Sequence, residues 1–295
     1  MKRVRRHILV RAPGKLFVLG EYAVLDGGSA CVAAVDRGVS CRVRAGDKLT
    51  TPTGDTRFVA AALAAVQAPT RQYLFDHWNP VDLPDKPGFG GSAAATVAAV
   101  AAGLVANMVR FEHELWATVE DLAVAVHHRV QGSGSGLDVR ASARGGFNHF
   151  AGDAVTPLPT PELVAVWSGR SAQTGPRVAR YLAWAAAERT RFRAESDALA
   201  EGWVADPVAA LREGRLLLER ALRLAGVDYR TPGLDRIAAL AAVHGGAAKP
   251  SGAGGGDVAV AVIPDPEARA AFAAACDAEG LTPIPVQVVP GVSLD

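Results

Sequence analysis

The sequence is poor in cysteine, carries almost no net charge and has no long run of strongly hydrophobic residues, and each of these shortages excludes a class of protein. Three cysteines occur in 295 residues, at Cys31, Cys41 and Cys276. They cannot all pair and their spacing is not that of metal ligands, so we expect reduced core residues in a cytoplasmic protein. The 31 lysines and arginines nearly cancel the 30 aspartates and glutamates, leaving a formal net charge of +1. Bulk charge therefore indicates neither nucleic acid nor a membrane surface, and small molecules are the expected partners.

Two apolar stretches resemble membrane-directing segments, but one is too short and the other is not hydrophobic enough. The basic opening, residues 1–6, is followed by only three strongly apolar residues, which is far too short for the core of a secretory signal. The segment 93–109 approaches the length of a membrane span, but it is mostly alanine and contains Thr96, Gly103 and Asn107. These features predict a buried helix instead.

Length and composition predict two domains and an α+β fold. The chain is 49% hydrophobic and 21% charged, which suffices for sizeable cores. Prolines accumulate at positions 157, 159 and 161, so we predict domains over residues 1–156 and 157–295. In the first domain, periodicity and turn residues predict strands at 7–12, 16–19 and 39–44, a turn at Pro13-Gly14, and helices at 57–66 and 112–130. In the second, they predict strands at 163–167, 258–262 and 286–289, and helices at 178–201, 208–224, 234–243 and 266–279.

A glycine-rich stretch at residues 86–95 is the first feature that suggests chemistry. It reads Lys-Pro-Gly-Phe-Gly-Gly-Ser-Ala-Ala-Ala, and a helix is predicted to begin near Ser92. Glycines let backbone N–H groups approach a ligand, and a helix start adds unpaired amide donors and the positive end of the helix dipole, so such a place attracts anions. The stretch lacks the Gly-Lys-[Ser/Thr] ending of a Walker loop and the third glycine of a dinucleotide-binding turn. Taken alone, it is equally well a tight turn into a core helix.

Two further stretches of the same character lie far away in the chain. Residues 12–15 read Ala-Pro-Gly-Lys, and residues 249–257 read Lys-Pro-Ser-Gly-Ala-Gly-Gly-Gly-Asp. Three such motifs in this order resemble those of the GHMP kinase superfamily, and the resemblance spans most of the chain. It implies a β-α N-terminal domain beside a ferredoxin-like C-terminal domain, with the active site in the cleft between them. It also implies ATP and Mg²⁺ as cofactors.

The resemblance assigns roles to residues of each motif. The second motif would wrap the nucleotide phosphates, and its serine, Ser92, would help to bind the metal ion. Lys15 and Asp138 would be the catalytic pair, with Asp138 as general base for the attacking hydroxyl and Lys15 stabilising the carboxylate and the developing alkoxide. Without the resemblance, Asp138 is better interpreted as a helix cap or turn residue. The implied ATP-binding residues are Lys86, Pro87, Gly88, Phe89, Gly90, Gly91, Ser92, Ala93 and Ala94.

Two departures from the family pattern bear on the metal. The usual pair of serines in the second motif is here Gly91-Ser92, so one hydroxyl is missing. The glutamate that mevalonate kinases carry in the helix before the catalytic aspartate is also absent, because residues 125–129 read Ala-Val-His-His-Arg. We expect Ser92, phosphates and water to hold the metal, or an acid that the pattern does not identify. Adjacent histidines on a helix point in different directions, so His127 and His128 are expected to have a partly buried polar role rather than to bind metal.

Within the superfamily, several details are most similar to the phosphomevalonate kinase group. They are Gly-Glu-Tyr-Ala-Val-Leu at residues 20–25, the runs Gln-Gly and Gly-Ser-Gly-Leu-Asp-Val within 131–139, and Trp-Ser-Gly-Arg-Ser-Ala-Gln-Thr at 167–174. The chain is short for that group. The resemblance implies transfer of phosphate from ATP to phosphomevalonate. Mevalonate kinase, a kinase for another small alcohol and a nucleotide-binding sensor without turnover are the alternatives, and a homodimer is left open.

A phosphorylated acceptor carries about two negative charges near neutral pH, and basic side chains or backbone amides must bind them. Arg144 and Arg170 are the candidates nearest the matched motifs, and Lys86 is a weaker one. Each of them alone would be interpreted as a solvated surface cation. The implied substrate-binding residues are Lys15, Glu21, Tyr22, Ser133, Ser135, Asp138, Arg144, Arg170, Ser171, Ser251, Gly252, Ala253 and Gly254.

Overall fold

The computed structural model describes residues 8–107, 113–132 and 134–295, and its strands form two sheets. In chain order the strands are β1 (Ile8–Leu19), β2 (Ala30–Arg44), β3 (Leu49–Thr50), β4 (Gln72–Trp78), β5 (Phe147–Ala151), β6 (Ala154–Pro157), β7 (Leu163–Trp167), β8 (Ala247–Pro250), β9 (Val258–Val262), β10 (Thr282–Pro285) and β11 (Ser293–Leu294). The helices are α1 (Arg57–Ala65), α2 (Gly91–Ala106), α3 (His113–Gln131), α4 (Leu137–Arg144), α5 (Thr174–Leu182), α6 (Ala186–Glu201), α7 (Pro207–Leu224), α8 (Pro232–Val243) and α9 (Pro266–Ala278).

The first sheet is built around the long antiparallel pair β1 and β2. Its strand order is β11-β1-β2-β4-β3, and β5 also pairs with β2 and carries β6. β1 passes through the predicted turn at Pro13-Gly14 without ending, so that prediction is wrong. A bulge between Ala12 and Gly14 accommodates the proline, which has no N–H for the ladder. Gly14 is needed there because a Cβ would lie 2.0 Å from the carbonyl oxygen of Arg37.

The second sheet, ordered β10-β7-β9-β8, is antiparallel throughout and packs against α7, α8 and α9. Helices packed on an antiparallel sheet confirm the predicted α+β class. The strand predicted at 286–289 is wrong, because the strand is Thr282–Pro285 and Val288 forms only an isolated bridge with Val35. β10 is at the edge of the sheet, where prolines such as Pro283 are tolerated.

α2 is surrounded by protein, as its alanine-rich sequence predicts. It packs on β1 and β2 and against α1 and α3, and ten of its residues between Ala93 and Gly103 are buried. Alanine favours the helix and, being small, lets neighbouring backbones approach closely. Among the helices of the described ranges, none is both long and apolar enough to cross a membrane.

The helix predicted over residues 178–201 is in fact two helices. α5 and α6 are separated because Ala185 adopts an extended conformation. The bend allows Tyr181 to pack edge-on against Phe192, with ring centroids 5.9 Å apart. The break consists of Ala183, Trp184 and Ala185, which are all apolar, so hydrophobic periodicity does not reveal it.

One hydrophobic core joins the two sheets. Leu16 and Leu19 of β1 belong to the same buried cluster as Trp167 and Val258 of the second sheet. The break between the sheets falls at residues 158–162, and β11 returns from the far end of the chain to pair with β1. Residues that follow strands of both sheets can therefore contact one another.

The three cysteines are buried and unpaired, as predicted. Burial, with a smaller contribution from the charge of Glu21, raises the pKa of the Cys31 thiol to about 12. The cysteines therefore act as small apolar core residues and not as reactive thiols.

Candidate active site

The three glycine-rich motifs, which are distant in sequence, contact one another. The Nζ of Lys15 in the first motif donates to the carbonyl oxygen of Gly88 at 3.2 Å. The N–H of Val258, just after the third motif, donates to the carbonyl oxygen of Pro87 at 3.1 Å. A Cβ on Gly88 would lie 2.7 Å from the Cβ of Asp257. The first and third motifs thus hold the second motif between them.

The second motif has the backbone of an anion-binding loop. Gly88 and Gly90 have φ angles of +92° and +74°, and Gly90 immediately precedes α2. None of the described side chains caps α2, and the amides of residues 91–93, at the start of the helix, have no partner within it. The buried Phe89 anchors the loop, and its carbonyl oxygen accepts a 2.9 Å hydrogen bond from the N–H of Lys15. These free donors, at the positive end of the helix dipole, suit phosphate groups.

Lys15 is buried, with 8% of its surface exposed, and it interacts electrostatically with three carboxylates. Burial lowers the pKa of its ammonium group, and the charges of Asp138, Asp257 and Glu21 partly offset that effect. Its Nζ also lies 5.5 Å from the ring centroid of Phe17. A cation fixed in this way is able to stabilise negative charge that develops beside it.

Asp138 is the second residue of α4. The helix follows Gly136, and the φ of Gly136, +73°, lies in the left-handed region. Negative charge at a helix start is favoured by the helix dipole. Ser142 of the same helix donates from its hydroxyl to the carbonyl oxygen of Pro13 in β1 at 2.6 Å. The elements that carry Asp138 and Lys15 are therefore fastened to each other.

Ser92, the predicted metal ligand, contacts a histidine rather than an acid. Its Oγ lies 3.2 Å from Nε2 of His127, and the His127 ring stacks on Phe58 with centroids 5.0 Å apart. Burial lowers the pKa of His127, and the opposing effect of Asp138 is smaller, so the imidazole is neutral at neutral pH. In the described ranges, no group of three His, Cys, Asp or Glu side chains could hold a metal ion. The donor set fits a magnesium ion that takes most of its ligands from phosphates and water.

Glu21 and Tyr22 hold the third motif in place. Glu21 forms a fully buried ion pair with Lys249 and accepts a 3.3 Å hydrogen bond from the N–H of Gly252. The Tyr22 hydroxyl donates to the carbonyl oxygen of Ala253 at 2.7 Å. The motif pattern did not single out Lys249, although its position at the head of the third motif was a signal. The second carboxylate oxygen of Glu21 is buried and has no hydrogen-bond partner among the described residues.

Asp257 is an acid of the third motif to which the sequence pattern assigned no role. Its Oδ1 accepts a 2.9 Å hydrogen bond from the N–H of Ala172, and its own N–H donates to the carbonyl oxygen of Arg170 at 2.8 Å. Burial raises the pKa of Asp257, while the bond from Ala172 and the charges of Lys15 and Arg177 offset part of the rise. Asp257 thus links the third motif to the segment after β7.

The predicted contacts to an acceptor phosphate lie in different environments. Arg144 pairs with the buried carboxylate of Glu120, which also forms an ion pair with Arg140 at 3.0 Å, so the two arginines share one negative charge. The Arg170 side chain is exposed. Ser171 donates from its hydroxyl to the carbonyl oxygen of the exposed Lys86 at 3.1 Å, which ties the segment after β7 to the nucleotide loop.

The remaining predicted substrate contacts differ in their surroundings. The Ser135 hydroxyl accepts a 3.4 Å hydrogen bond from the N–H of Leu137. The Ser251 hydroxyl is buried without a hydrogen-bond partner in the described part of the chain. Gly254 packs so closely on Tyr229 that a Cβ would lie 2.1 Å from its ring. The prediction for Ser133 lies outside the described residues.

Two family models match the chain, and together they cover more than half of it. The one described as GHMP kinases N terminal domain matches residues 59–146, and the one described as GHMP kinases C terminal matches residues 207–280. The chain therefore belongs to the GHMP kinases, which are ATP-dependent kinases. This confirms the predicted family and its fold.

The individual proteins that the chain resembles include phosphomevalonate kinases and mevalonate kinases. The chain is 29% identical to a phosphomevalonate kinase from a Streptomyces species, over 88% of this chain and 90% of that protein. It is 30% identical to a mevalonate kinase from Thermococcus gammatolerans, over 65% of this chain and 60% of that protein. The structure of Streptococcus pneumoniae phosphomevalonate kinase in complex with phosphomevalonate and AMPPNP has the same fold, with a TM-score of 0.78 and 18% identity over 95% of this chain and 99% of that one.

Proposed function

We propose that the protein transfers the γ-phosphoryl group of ATP to phosphomevalonate, giving diphosphomevalonate and ADP. The observation that carries this proposal is that Lys15 contacts the loop before α2, which packs on Asp257, and interacts electrostatically with Asp138 and Asp257. Phosphoryl transfer requires positioning and neutralisation of charge more than covalent chemistry, and these groups supply both. The similarity to a phosphomevalonate kinase over 88% of the chain supports this choice of acceptor.

The nucleotide side of the site consists of the loop 86–94 and the start of α2. Backbone amides there suit the ATP phosphates, and Ser92 is the hydroxyl available to a magnesium ion. Bound magnesium would offset the charge of the β- and γ-phosphates. The contact from His127 to Ser92 restrains the direction of that hydroxyl.

On the acceptor side, an acceptor oxygen attacks the γ-phosphorus while the bond to the β-phosphate oxygen breaks and ADP leaves. Lys15 meets the negative charge of the transferred group, and Asp138 accepts the proton of the attacking oxygen when it carries one. In phosphomevalonate the attacking atom is a phosphate oxygen, whose second pKa is about 6. Such an acceptor needs a base chiefly below that pH, whereas an alcohol has to lose its proton at every working pH.

Mevalonate kinase is the second candidate. The 30% identity to a mevalonate kinase favours it, as does the pairing of Arg144 with Glu120, which leaves one cation fewer for an acceptor phosphate. A sensor without turnover is less favoured, because such a protein has no need of Lys15 and Asp138 close enough to interact electrostatically. We also propose a cytoplasmic location, since the cysteines are unpaired.

An ADP-release assay on the purified protein with four acceptors tests the proposal. We expect kcat/KM for phosphomevalonate to exceed that for mevalonate by about 100-fold or more, and homoserine and galactose to be poorer still. Equal or better activity on mevalonate would replace the proposal with the second candidate. ATP binding without ADP release on any of the four would favour a sensor.

A further inference from the structure

Arg177, on α5, is a cation of the site that the sequence motifs did not include. Its Nη1 donates to the carbonyl oxygen of Gln173 at 2.7 Å, and its Nε donates to that of Asp228 at 3.1 Å. Backbone carbonyls therefore fix the guanidinium without neutralising its charge. Within residues 8–107, 113–132 and 134–295, no carboxylate forms an ion pair with Arg177 and its Nη2 has no hydrogen-bond partner.

The unpartnered Nη2 lies against the third glycine-rich motif. A Cβ on Gly255 would lie 1.9 Å from it, so only glycine leaves room for the guanidinium. Gly255 is itself fixed, because its N–H donates to the carbonyl oxygen of Tyr229 at 2.7 Å. The third motif and Arg177 thus have complementary shapes.

The charge of Arg177 acts on two residues of the site. Burial raises the pKa of Tyr22 and of Asp257, and Arg177 opposes the rise at both. The charge of Lys15 also opposes the rise in the pKa of Asp257. The charge of Asp138 in turn partly offsets the lowering of the pKa of Lys15. Asp257 therefore interacts electrostatically with two cations. Lys15 also interacts with the proposed base, and Arg177 also interacts with Tyr22.

The other cations near the motifs are less suitable for binding an anionic acceptor. Lys249 is buried in its ion pair with Glu21, and Arg144 pairs with Glu120. Arg170 is exposed. The guanidinium on α5 is half-buried, is held in one orientation and forms no ion pair with a carboxylate of the described residues.

We infer that Arg177 binds the carboxylate of the acceptor, at the end away from the oxygen that attacks ATP. The inference rests on the proposed function, because phosphomevalonate and mevalonate both carry a carboxylate at the end opposite to the reacting oxygen. A guanidinium nitrogen already fixed in position forms a strong charge-assisted hydrogen bond with a carboxylate. Arg177 would then select acceptors that are anionic at this end.

The variants Arg177→Met and Arg177→Lys test the inference, with Arg180→Met as matched control. Arg180 is on the same helix, and its side chain is 61% exposed. We expect Arg177→Met to raise KM for the acceptor about 10- to 100-fold, because one charge-assisted hydrogen bond is lost. Arg177→Lys should recover part of the loss, Arg180→Met should have no effect, and KM for ATP should stay unchanged in all three.

The methyl ester of the acceptor distinguishes binding from a purely structural role. It lacks the carboxylate charge, so Arg177→Met should raise KM for the acid and leave KM for the ester unchanged. Equal increases for the acid and the ester would overturn the inference. The acceptor screen on the wild-type protein tests the proposed function separately. If homoserine is the preferred acceptor, the proposed function is wrong, and the inference is then tested with homoserine and its methyl ester. If the preferred acceptor has no anion remote from its reacting oxygen, the inference is wrong.

Discussion

At Lys15, burial and the neighbouring carboxylates act in opposite directions, and burial dominates, so the pKa is lower than the usual 10.5. The cation is the form that meets negative charge, so kcat/KM should fall as pH rises through this pKa. Because the pKa is lowered, the fall should begin at a lower pH than for an ordinary lysine. In Lys15→Arg the guanidinium stays protonated. The fall in kcat/KM at alkaline pH, the alkaline limb of the profile, should therefore disappear when kcat/KM is measured between pH 7 and pH 10. An unchanged limb in the variant would assign it to another group.

Asp138→Asn removes a negative charge and a base but keeps the shape of the side chain. With phosphomevalonate we expect kcat to fall about 100- to 10,000-fold near pH 6. The deficit should narrow towards pH 8, because the phosphate acceptor has then lost its own proton. The Kd for ATP, measured by titration calorimetry, should change little. A deficit that is constant with pH would indicate an alcohol acceptor, and near-normal kcat throughout would remove Asp138 from the mechanism.

The start of α2 offers a matched pair of glycines that tests the nucleotide loop as an element. Gly90 has a φ of +74°, and a Cβ there would lie 3.0 Å from Cγ of Lys15, whereas a Cβ on Gly91 would meet nothing within 4 Å. Gly90→Ala should weaken ATP binding about tenfold or more, because it strains the loop and displaces Lys15. Gly91→Ala should bind ATP like the wild type and be at least as stable, since alanine favours a helix. Equal Kd values for ATP in the two variants, measured by calorimetry, would contradict the assignment of the loop.

Hydrophobic periodicity was a good guide to some elements and a poor one to others. It located α1, α7 and β9 to within about two residues, because each element presents a regular apolar pattern to a core. It did not indicate β4, β5 or β6, whose polar residues alternate less regularly. It also ran through the break at Ala185 and stopped β1 at Pro13, because both features depend on neighbouring segments.

The buried pair of Glu21 and Lys249 connects the two halves of the molecule, since Glu21 follows β1 of the first sheet and Lys249 lies in β8 of the second. Lys249→Met would leave the Glu21 carboxylate buried without its ion-pair partner. We expect the free energy of unfolding to fall by about 3–5 kcal/mol, measured by urea denaturation. The double variant Glu21→Gln/Lys249→Met should recover much of this loss, because no isolated charge remains. Equal losses in the single and double variants would show that packing, rather than charge, is responsible.

The amino-acid sequence is sufficient to predict the local requirements of this protein. The glycines at 88 and 90, the alanines of α2 and the order of the three motifs are sufficient to predict a phosphate-binding loop, an α+β fold and membership of the GHMP kinases. The loop and the helix depend on residues that are close in the chain, and the order of the motifs can be read along the sequence, so composition and spacing reveal them.

The pairing of charges, in contrast, is visible only in the folded chain. Lys249 is joined to Glu21 and Arg144 to Glu120, whereas Arg177 has a guanidinium nitrogen against Gly255 that no other group in the described part of the chain contacts by a hydrogen bond. Such pairings connect segments far apart in the chain, and they form where packing brings the segments together. A cation looks the same in the sequence whether a carboxylate neutralises it or not, so the choice of acceptor contact depends on the folded arrangement.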